Sequence, residues 1–177
     1  FTTKHSTTTN EKESIMGLDM YLEGRRYFSR NDYNFSDWSQ KPTISEAYSE
    51  IMEAADLVGM DAEDGIGVEV RFTVGYWRKA NQIHDWFVQN VQDGVDECQE
   101  AWVSREQLQE LVDICKTVLA DLSKAEELLP TRSGFFFGGT DYDDWYKGDL
   151  EFTAERLEKI LADPAFAKCD FYYQSSW

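Results

Sequence analysis

The strictest constraint on the fold is an alternating stretch at residues 66–74. Every second side chain there is apolar, and the set is Ile66, Val68, Val70, Phe72 and Val74. The residues between them are Gly67, Glu69, Arg71 and Thr73. Successive side chains of a strand point to opposite faces, so this period of two predicts a strand with one face in the core and the other in water.

Shorter patterns predict the other elements. Strands are expected in four further stretches, at residues 18–22, 98–103, 135–137 and 169–173. Apolar residues at helical spacing predict four helices, at residues 45–59, 76–94, 104–130 and 140–161. The third helix opens with a capping box, in which Ser104 and Gln107 satisfy each other's free backbone N–H groups. Loops are expected at residues 25–42 and at the acidic residues 61–64.

Strands and helices interleave with irregular connections, and no glycine-rich turn joins a strand to a helix. This pattern predicts an α+β fold in two layers, with the helices packed on one face of a mainly antiparallel sheet. Residues 1–15 are polar and lack periodicity, so we treat them as a disordered or non-native leader and expect Met16 to be the native start. Residues 16–177 are expected to form a single α+β domain.

The charge of the chain is strongly negative. It has 34 acidic against 17 basic residues, which gives a net charge of −17. Direct nucleic-acid binding by a basic face is therefore not expected. A charge of this sign keeps a protein soluble, attracts a basic partner, or imitates the phosphates of a nucleic acid, and these three roles stay open.

Cysteine usage and hydropathy indicate the compartment. Cys98, Cys115 and Cys169 are odd in number and far apart, which is typical of free thiols in a reducing cytosol. No apolar run reaches the roughly 18 residues of a membrane-spanning helix. We therefore expect a cytoplasmic protein with no membrane partner.

Two aromatic-rich blocks mix large rings with polar groups. In the first, residues 75–87, Trp77, Asn81 and His84 form one stripe of the helix expected from residue 76. A partly buried histidine beside an amide and an indole could bind a small polar ligand or act as a base, or it could be a histidine at the edge of the core. Arg78 belongs to a small basic cluster that could hold an anionic group or pair with nearby carboxylates.

The second block, residues 134–146, combines three Phe with glycines and aspartates. Thr140 is expected to cap a helix, with Asp141 in its first turn. The glycines lack the Gly-Lys-Ser/Thr of a phosphate loop, and the aspartates would repel phosphate. Together the blocks supply the candidate ligand-binding or partner-binding residues, which are Trp77, Arg78, Asn81, His84, Phe136, Thr140, Asp141, Tyr142 and Trp145.

Several chemistries are not indicated by any motif. The Asp-x-Asp-x-Asp-Gly loop of a calcium site is absent, and the His and Cys count is too low for structural zinc. No Gly-x-Ser-x-Gly is present, and no cysteine lies in a basic neighbourhood. We therefore expect no metal, no cofactor and no catalytic residue, and an enzyme is the less favoured reading, although a chance carboxylate pair is not excluded.

Three blocks carry a family resemblance, at residues 16–22, 74–94 and 128–146. They resemble a family of small proteins from tailed phages and prophages, and the resemblance covers the chain from about Met16 onward. It brings no activity, ligand or catalytic residue with it. It does imply a bacterial cytoplasm as the setting, and it favours early phage functions such as blocking a host protein or sequestering a host signal molecule.

Two functions follow as hypotheses. The first is a non-enzymatic phage accessory protein that binds and inhibits a host factor, such as a defence factor, through an acidic surface with exposed aromatic anchors. The alternative is a protein, sequestering or enzymatic, that binds a small anionic or nucleotide-like ligand in a pocket between residues 75–87 and 134–146. The pocket requires Arg78, Asn81 and His84 to face one cavity.

Overall fold

The computed structural model describes residues 17–32, 41–58, 67–134 and 136–177. The strands in these ranges are β1 (Asp19–Ser29), β2 (Asn31–Asp32), β3 (Thr43–Ile44), β4 (Gly67–Arg78), β5 (Ala101–Val103) and β6 (Asp170–Ser176). The helices are α1 (Glu46–Ala54), α2 (Asn81–Val91), α3 (Arg105–Ala120), α4 (Ala125–Leu128) and α5 (Asp144–Ala162). The predicted leader and the expected start at Met16 lie outside the described residues, as do the acidic loop 61–64, Ile66 and the expected helix end near Gly59.

A four-stranded sheet forms the centre of the fold. Its strands lie in the order β4-β1-β6-β5, and each strand is antiparallel to its neighbours. Strands β2 and β3 form a separate two-stranded ribbon. The predicted α+β class with a mainly antiparallel sheet is confirmed.

The helices bury one face of this sheet. The strands contribute buried side chains on alternate positions, and these are Met20, Leu22, Trp77, Val103, Phe171 and Tyr173. Helices α2, α3 and α5 cover them with their own apolar seams. Phe87 of α2 stacks on Tyr173 of β6, with ring centroids 4.0 Å apart and an angle of 6° between the rings. The core therefore lies in a single layer between sheet and helices.

A β-bulge interrupts the pairing of β1 with β4. Leu22 lies opposite Gly75, and Glu23 lies opposite Thr73, so Val74 is the extra residue. A Cβ on Gly75 would come within 2.5 Å of the Trp77 ring. The bulge and the glycine together let the large indole turn into the core beside the strand that carries it.

Two predicted boundaries in the first half of the chain are wrong. Residues 25–29 were expected to be loop, but β1 continues to Ser29 because it pairs with β4 along its whole length. The helix expected from Tyr76 begins only at Asn81. Lys79 adopts a left-handed backbone with φ of 61°, which ends the strand and separates it from the helix.

The second half of the chain also differs from its predictions. Helix α3 ends at Ala120 rather than at Pro130, although its capping box is confirmed, with Gln107 N–H donating to Ser104 Oγ over 3.0 Å. Phe136 and Phe137 lie in a turn and a bend instead of a strand, and Phe135 is outside the described residues. Short 3₁₀ turns, at Leu122–Lys124 and Pro164–Phe166, complete the connections.

Candidate functional site

The two aromatic blocks meet in space, and the buried side chain of Asn81 holds them together. Its Nδ2 donates to the carbonyls of Phe137 and Gly139, over 3.0 and 2.8 Å. Its Oδ1 accepts from the N–H of Arg132 over 2.7 Å. Since these bonds use both amide protons and one lone pair of the amide oxygen, Asn81 fixes the shape of the loop at residues 132–139.

The turn between β4 and α2 fits closely against this loop. The N–H of Lys79 donates to the carbonyl of Leu18 over 2.8 Å, and the N–H of Leu18 donates to the carbonyl of Phe136 over 3.0 Å. Gly138 has a φ of 88°, and a Cβ there would lie 3.1 Å from the Lys79 carbonyl oxygen. Glycine is required at this position by both its backbone conformation and the close approach.

A pocket of about 280 Å³ opens where the blocks meet. Its walls come from the end of β4, the start of α2, the loop at residues 132–139 and the start of α5. The polar and aromatic side chains that line it include Arg78, Lys79, Gln82, Asp141, Asp143, Trp145 and Asp149. The Trp145 ring is 85% exposed. The pocket thus joins Arg78, Asn81, Asp141 and Trp145 from the predicted set, with cations and carboxylates side by side.

Asp149 is a pocket residue that sequence reasoning missed. It lies on α5, where Gln82 Nε2 donates to its Oδ2 over 3.0 Å. Burial raises the pKa of this carboxyl, partly offset by the Gln82 hydrogen bond. No local pattern distinguishes it, because a carboxylate on a helix is read as part of the solvated face.

The start of α5 differs from its prediction. Asp143 caps the helix, accepting from the N–H groups of Trp145 and Tyr146 over 3.0 and 3.1 Å. Thr140 was expected in this role, but it lies three residues earlier, where its carbonyl accepts from Thr131 Oγ1 over 2.9 Å. Asp143 displaces it because a carboxylate oxygen there reaches two free N–H groups at once.

His84 lies beside a different recess, which Phe137 also lines. Its Nδ1 is 2.7 Å from the Tyr173 hydroxyl, and its Nε2 is 3.0 Å from Asp96 Oδ2. The neutral tautomer with its proton on Nε2 satisfies both contacts, since the tyrosine then donates to Nδ1. Arg78, Asn81 and His84 therefore do not share one cavity, and the imidazole is fully engaged.

The remaining candidates are distributed between core and surface. Trp77 belongs to β4 instead of the expected helix, and its buried indole N–H donates to Thr153 Oγ1 over 2.8 Å. The ring of Tyr142 packs edge-on against Tyr146, with centroids 5.0 Å apart. Phe136 is half-buried. Trp77, Phe136 and Tyr142 are not part of the pocket lining.

A second candidate surface is the sheet face opposite the helices, which we call the open face. Each of its four strands contributes at least one aromatic ring, and these rings are Tyr76 of β4, Tyr21 and Tyr27 of β1, Tyr172 of β6 and Trp102 of β5. Tyr21, Tyr76 and Trp102 are 37%, 44% and 55% exposed. Tyr76 lies opposite Tyr21, and Trp102 lies opposite Tyr172, so these four rings form two cross-strand pairs.

Arg25 holds the centre of the open face in place. Its guanidinium lies 4.1 Å from the centre of the Tyr172 ring. It donates to Glu23 over 2.7 Å and to Glu100 from both terminal nitrogens. These carboxylates raise the pKa of Arg25, and its hydrogen bonds lower the pKa of Glu100. The arginine is nearly buried, so its geometry is set before any partner arrives.

The carboxylates of this face do not form a free row. Glu23 and Glu100 are both bound to Arg25, and Asp19 accepts from the Tyr76 hydroxyl. A nucleic-acid mimic requires unpaired carboxylates at phosphate spacing, about 7 Å along a strand. The open face has mixed aromatic, cationic and anionic character instead.

Comparison with known proteins adds no assignment. No protein-family model, curated protein or solved structure matches this chain. Among the described residues, no group of three or more His, Cys, Asp or Glu side chains is arranged to hold a metal ion. In the same ranges, none of the helices combines the length and apolar character needed to cross a bilayer.

Proposed function

We propose that this protein is a non-enzymatic accessory protein of phage or prophage origin, which binds and inhibits a host protein through its open face. One observation carries the proposal: the sheet face that none of the described helices covers presents at least one aromatic ring from every strand, with the preorganised Arg25 among them. Tryptophan, tyrosine and arginine are the residues on which binding free energy concentrates in protein interfaces.

Charge indicates the kind of partner. The chain carries −17 overall, and Asp19, Glu23 and Glu100 lie among the rings. A basic protein surface is attracted to such a face, which raises its association rate. The four strands make a face about 15 Å wide, enough for the central part of an interface of ordinary size.

The state of His84 supports a role without catalysis. It is the one histidine of the described residues, and both its nitrogens are engaged by Tyr173 and Asp96 inside the fold. A general base has to reach the proton it removes, and this imidazole is buried. The phage setting rests on the sequence resemblance alone.

Matched tryptophan variants test the proposal. Trp102 lies on the open face and Trp145 lies at the pocket, and both rings are exposed. We expect a host protein to be recovered in stoichiometric amount from bacterial cytosol with the wild type and with Trp145→Ala. With the purified partner, Trp102→Ala should weaken binding by about 30-fold or more, since an interface anchor is worth about 2 kcal/mol or more.

Activity of the partner is the second measurement. The wild-type protein should reduce it in proportion to the complex formed, and Trp102→Ala should not at the same concentration. Equal binding by both tryptophan variants would contradict the assignment to the open face. Binding without loss of partner activity would contradict the inhibitory role.

The pocket supports a second candidate, a sequestering protein for a small ligand. It places Arg78 and Lys79 beside an exposed indole, which suits an anionic group attached to a flat ring. Asp143 and Asp149 share the pocket and disfavour a ligand that is purely anionic. Native mass spectrometry of the protein from cells tests it: a retained mass of a few hundred daltons, lost in Trp145→Ala and kept in Trp102→Ala, would favour the pocket.

A further inference from the structure

Strand β4 is an edge of the sheet, and its two halves differ in how their outer backbone is covered. In the second half, the bulge at Val74 breaks the ladder, and Arg156 Nε donates to the Val74 carbonyl from α5. Bulges and covering side chains are the usual means of preventing edge pairing. In the first half, residues 67–73, the backbone has no hydrogen-bond partner outside β1 among the described residues.

The sequence of this unprotected half is complementary to itself. When two copies pair antiparallel about a two-fold axis through Val70, Glu69 of each copy lies opposite Arg71 of the other. On the covered face, Val68 lies opposite Phe72. Unlike charges and apolar pairs directly across from each other stabilise an antiparallel ladder. Moving the axis to Glu69 or to Arg71 would place like charges opposite each other.

From this pattern we infer that the protein forms a symmetric dimer in which the β4 edges of two copies pair about Val70. The two sheets then continue into one sheet of eight strands. An axis perpendicular to the sheet puts both open faces on the same side, because opposite residues in a ladder share a face. The dimer does not depend on the proposed function, but it would present two copies of the open face to one partner.

Electrostatics act on this dimer at two distances. Each copy carries −17, so the copies repel at long range. At an ionic strength of 0.15 M the Debye length is about 8 Å, which screens distant charges much more than the Glu69–Arg71 contacts. Within one copy, Arg71 already bonds to Glu69 two residues away. In the dimer, each of these two side chains would also face the oppositely charged side chain of the other copy.

Charge reversal gives a test that does not disturb the fold, since both side chains are exposed or nearly so. Sedimentation equilibrium of the purified protein should show a monomer–dimer equilibrium at about 0.15 M salt. Arg71→Glu puts carboxylates opposite carboxylates, and Glu69→Arg puts cations opposite cations. Each variant alone should dimerise at least about tenfold more weakly. Glu69→Arg does so although it reduces the net negative charge, which excludes a general charge effect.

Mixing the two variants completes the test. In a 1:1 mixture, the acidic strand of one variant faces the basic strand of the other, and heterodimers should form at least as well as the wild-type dimer. Trp102→Ala should dimerise like the wild type, which separates this inference from the role of the open face. A wild-type protein that stays monomeric, or single variants that dimerise as the wild type does, would overturn the inference.

Discussion

The two faces of the same sheet hold aromatic rings in opposite ways. Tyr76 and Trp77 are neighbours in β4, and Tyr172 and Tyr173 are neighbours in β6. In each pair the second ring is buried with its polar atom bonded, to Thr153 or to His84. The first ring lies on the open face, where Tyr76 is exposed and Tyr172 is half-buried. The number of aromatic residues in a strand therefore does not show which rings are buried and which are exposed, because one step along a strand moves a side chain from core to surface.

The largest difference in stability is expected between replacements of two neighbouring rings of β4. Trp77→Ala removes a buried indole and leaves Thr153 without its donor, and we expect it to cost about 3–5 kcal/mol of unfolding free energy. Tyr76→Ala removes an exposed ring, and the expected cost is below about 1 kcal/mol. Urea unfolding followed by circular dichroism measures both. Similar losses in the two variants would mean that the open face is covered in solution.

The buried amide of Asn81 gives the next largest expected effect on stability. Asn81→Ala leaves two carbonyls and one N–H of the 132–139 loop without partners. We expect a loss of about 2–3 kcal/mol, since each unsatisfied buried group carries a desolvation cost. Asn90→Ala is a control, because that exposed amide bonds only to the Trp86 carbonyl of its own helix. Hydrogen exchange should show faster opening of the loop in Asn81→Ala and not in the control.

The ion cluster of the open face predicts a pH dependence. Arg25 lowers the pKa of Glu100 below 4.5 in the folded state, so the stabilisation is present above pH 4.5 and is lost as the pH falls through the folded pKa. In Arg25→Met the pKa is no longer lowered, and the stability should change less below pH 4.5. The difference should stay under about 1 kcal/mol because the carboxylate is partly exposed. The prediction is contradicted if the unfolding free energies of the wild type and of Arg25→Met fall by the same amount between pH 5 and pH 3.

The smallest effect on stability is expected at Trp102. Its ring is 55% exposed, so Trp102→Ala should change the unfolding free energy by less than about 0.5 kcal/mol. The same change is expected to weaken partner binding by about 30-fold or more, so it separates the proposed function from the stability of the fold. Thermal unfolding should show an unchanged midpoint. A clear drop would mean that the ring packs against the protein itself.

Much of the fold was predictable because local patterns repeat at fixed spacing. The alternation at residues 66–74 identified β4, and Ser104 and Gln107 identified the start of α3. The start of α2 was missed because Tyr76, Ala80 and Ile83 also fit helical spacing, and nothing local marks the left-handed Lys79. The continuation of β1 was missed because Arg25 and Arg26 interrupt its alternation.

The candidate sites were less predictable than the fold. A pocket lies where the two blocks meet, and its lining includes Arg78, Asp141 and Trp145. Asn81 looked like a ligand group because a buried amide and a binding amide have the same sequence signature. In the structure it bonds to residues 51 to 58 positions away, which no local pattern indicates. No pattern within one segment could have indicated the open face, whose rings come from four separate strands.

The α+β class and the antiparallel character of the sheet follow from the sequence, because they depend on the spacing of apolar residues and on the connections along the chain. Tertiary structure alone decided which sheet face the helices cover, and therefore that Tyr21, Tyr76, Tyr172 and Trp102 share an exposed surface. The physical reason is that burial is a property of packing between distant segments: Trp102 and Tyr172 become neighbours only when β5 pairs with β6.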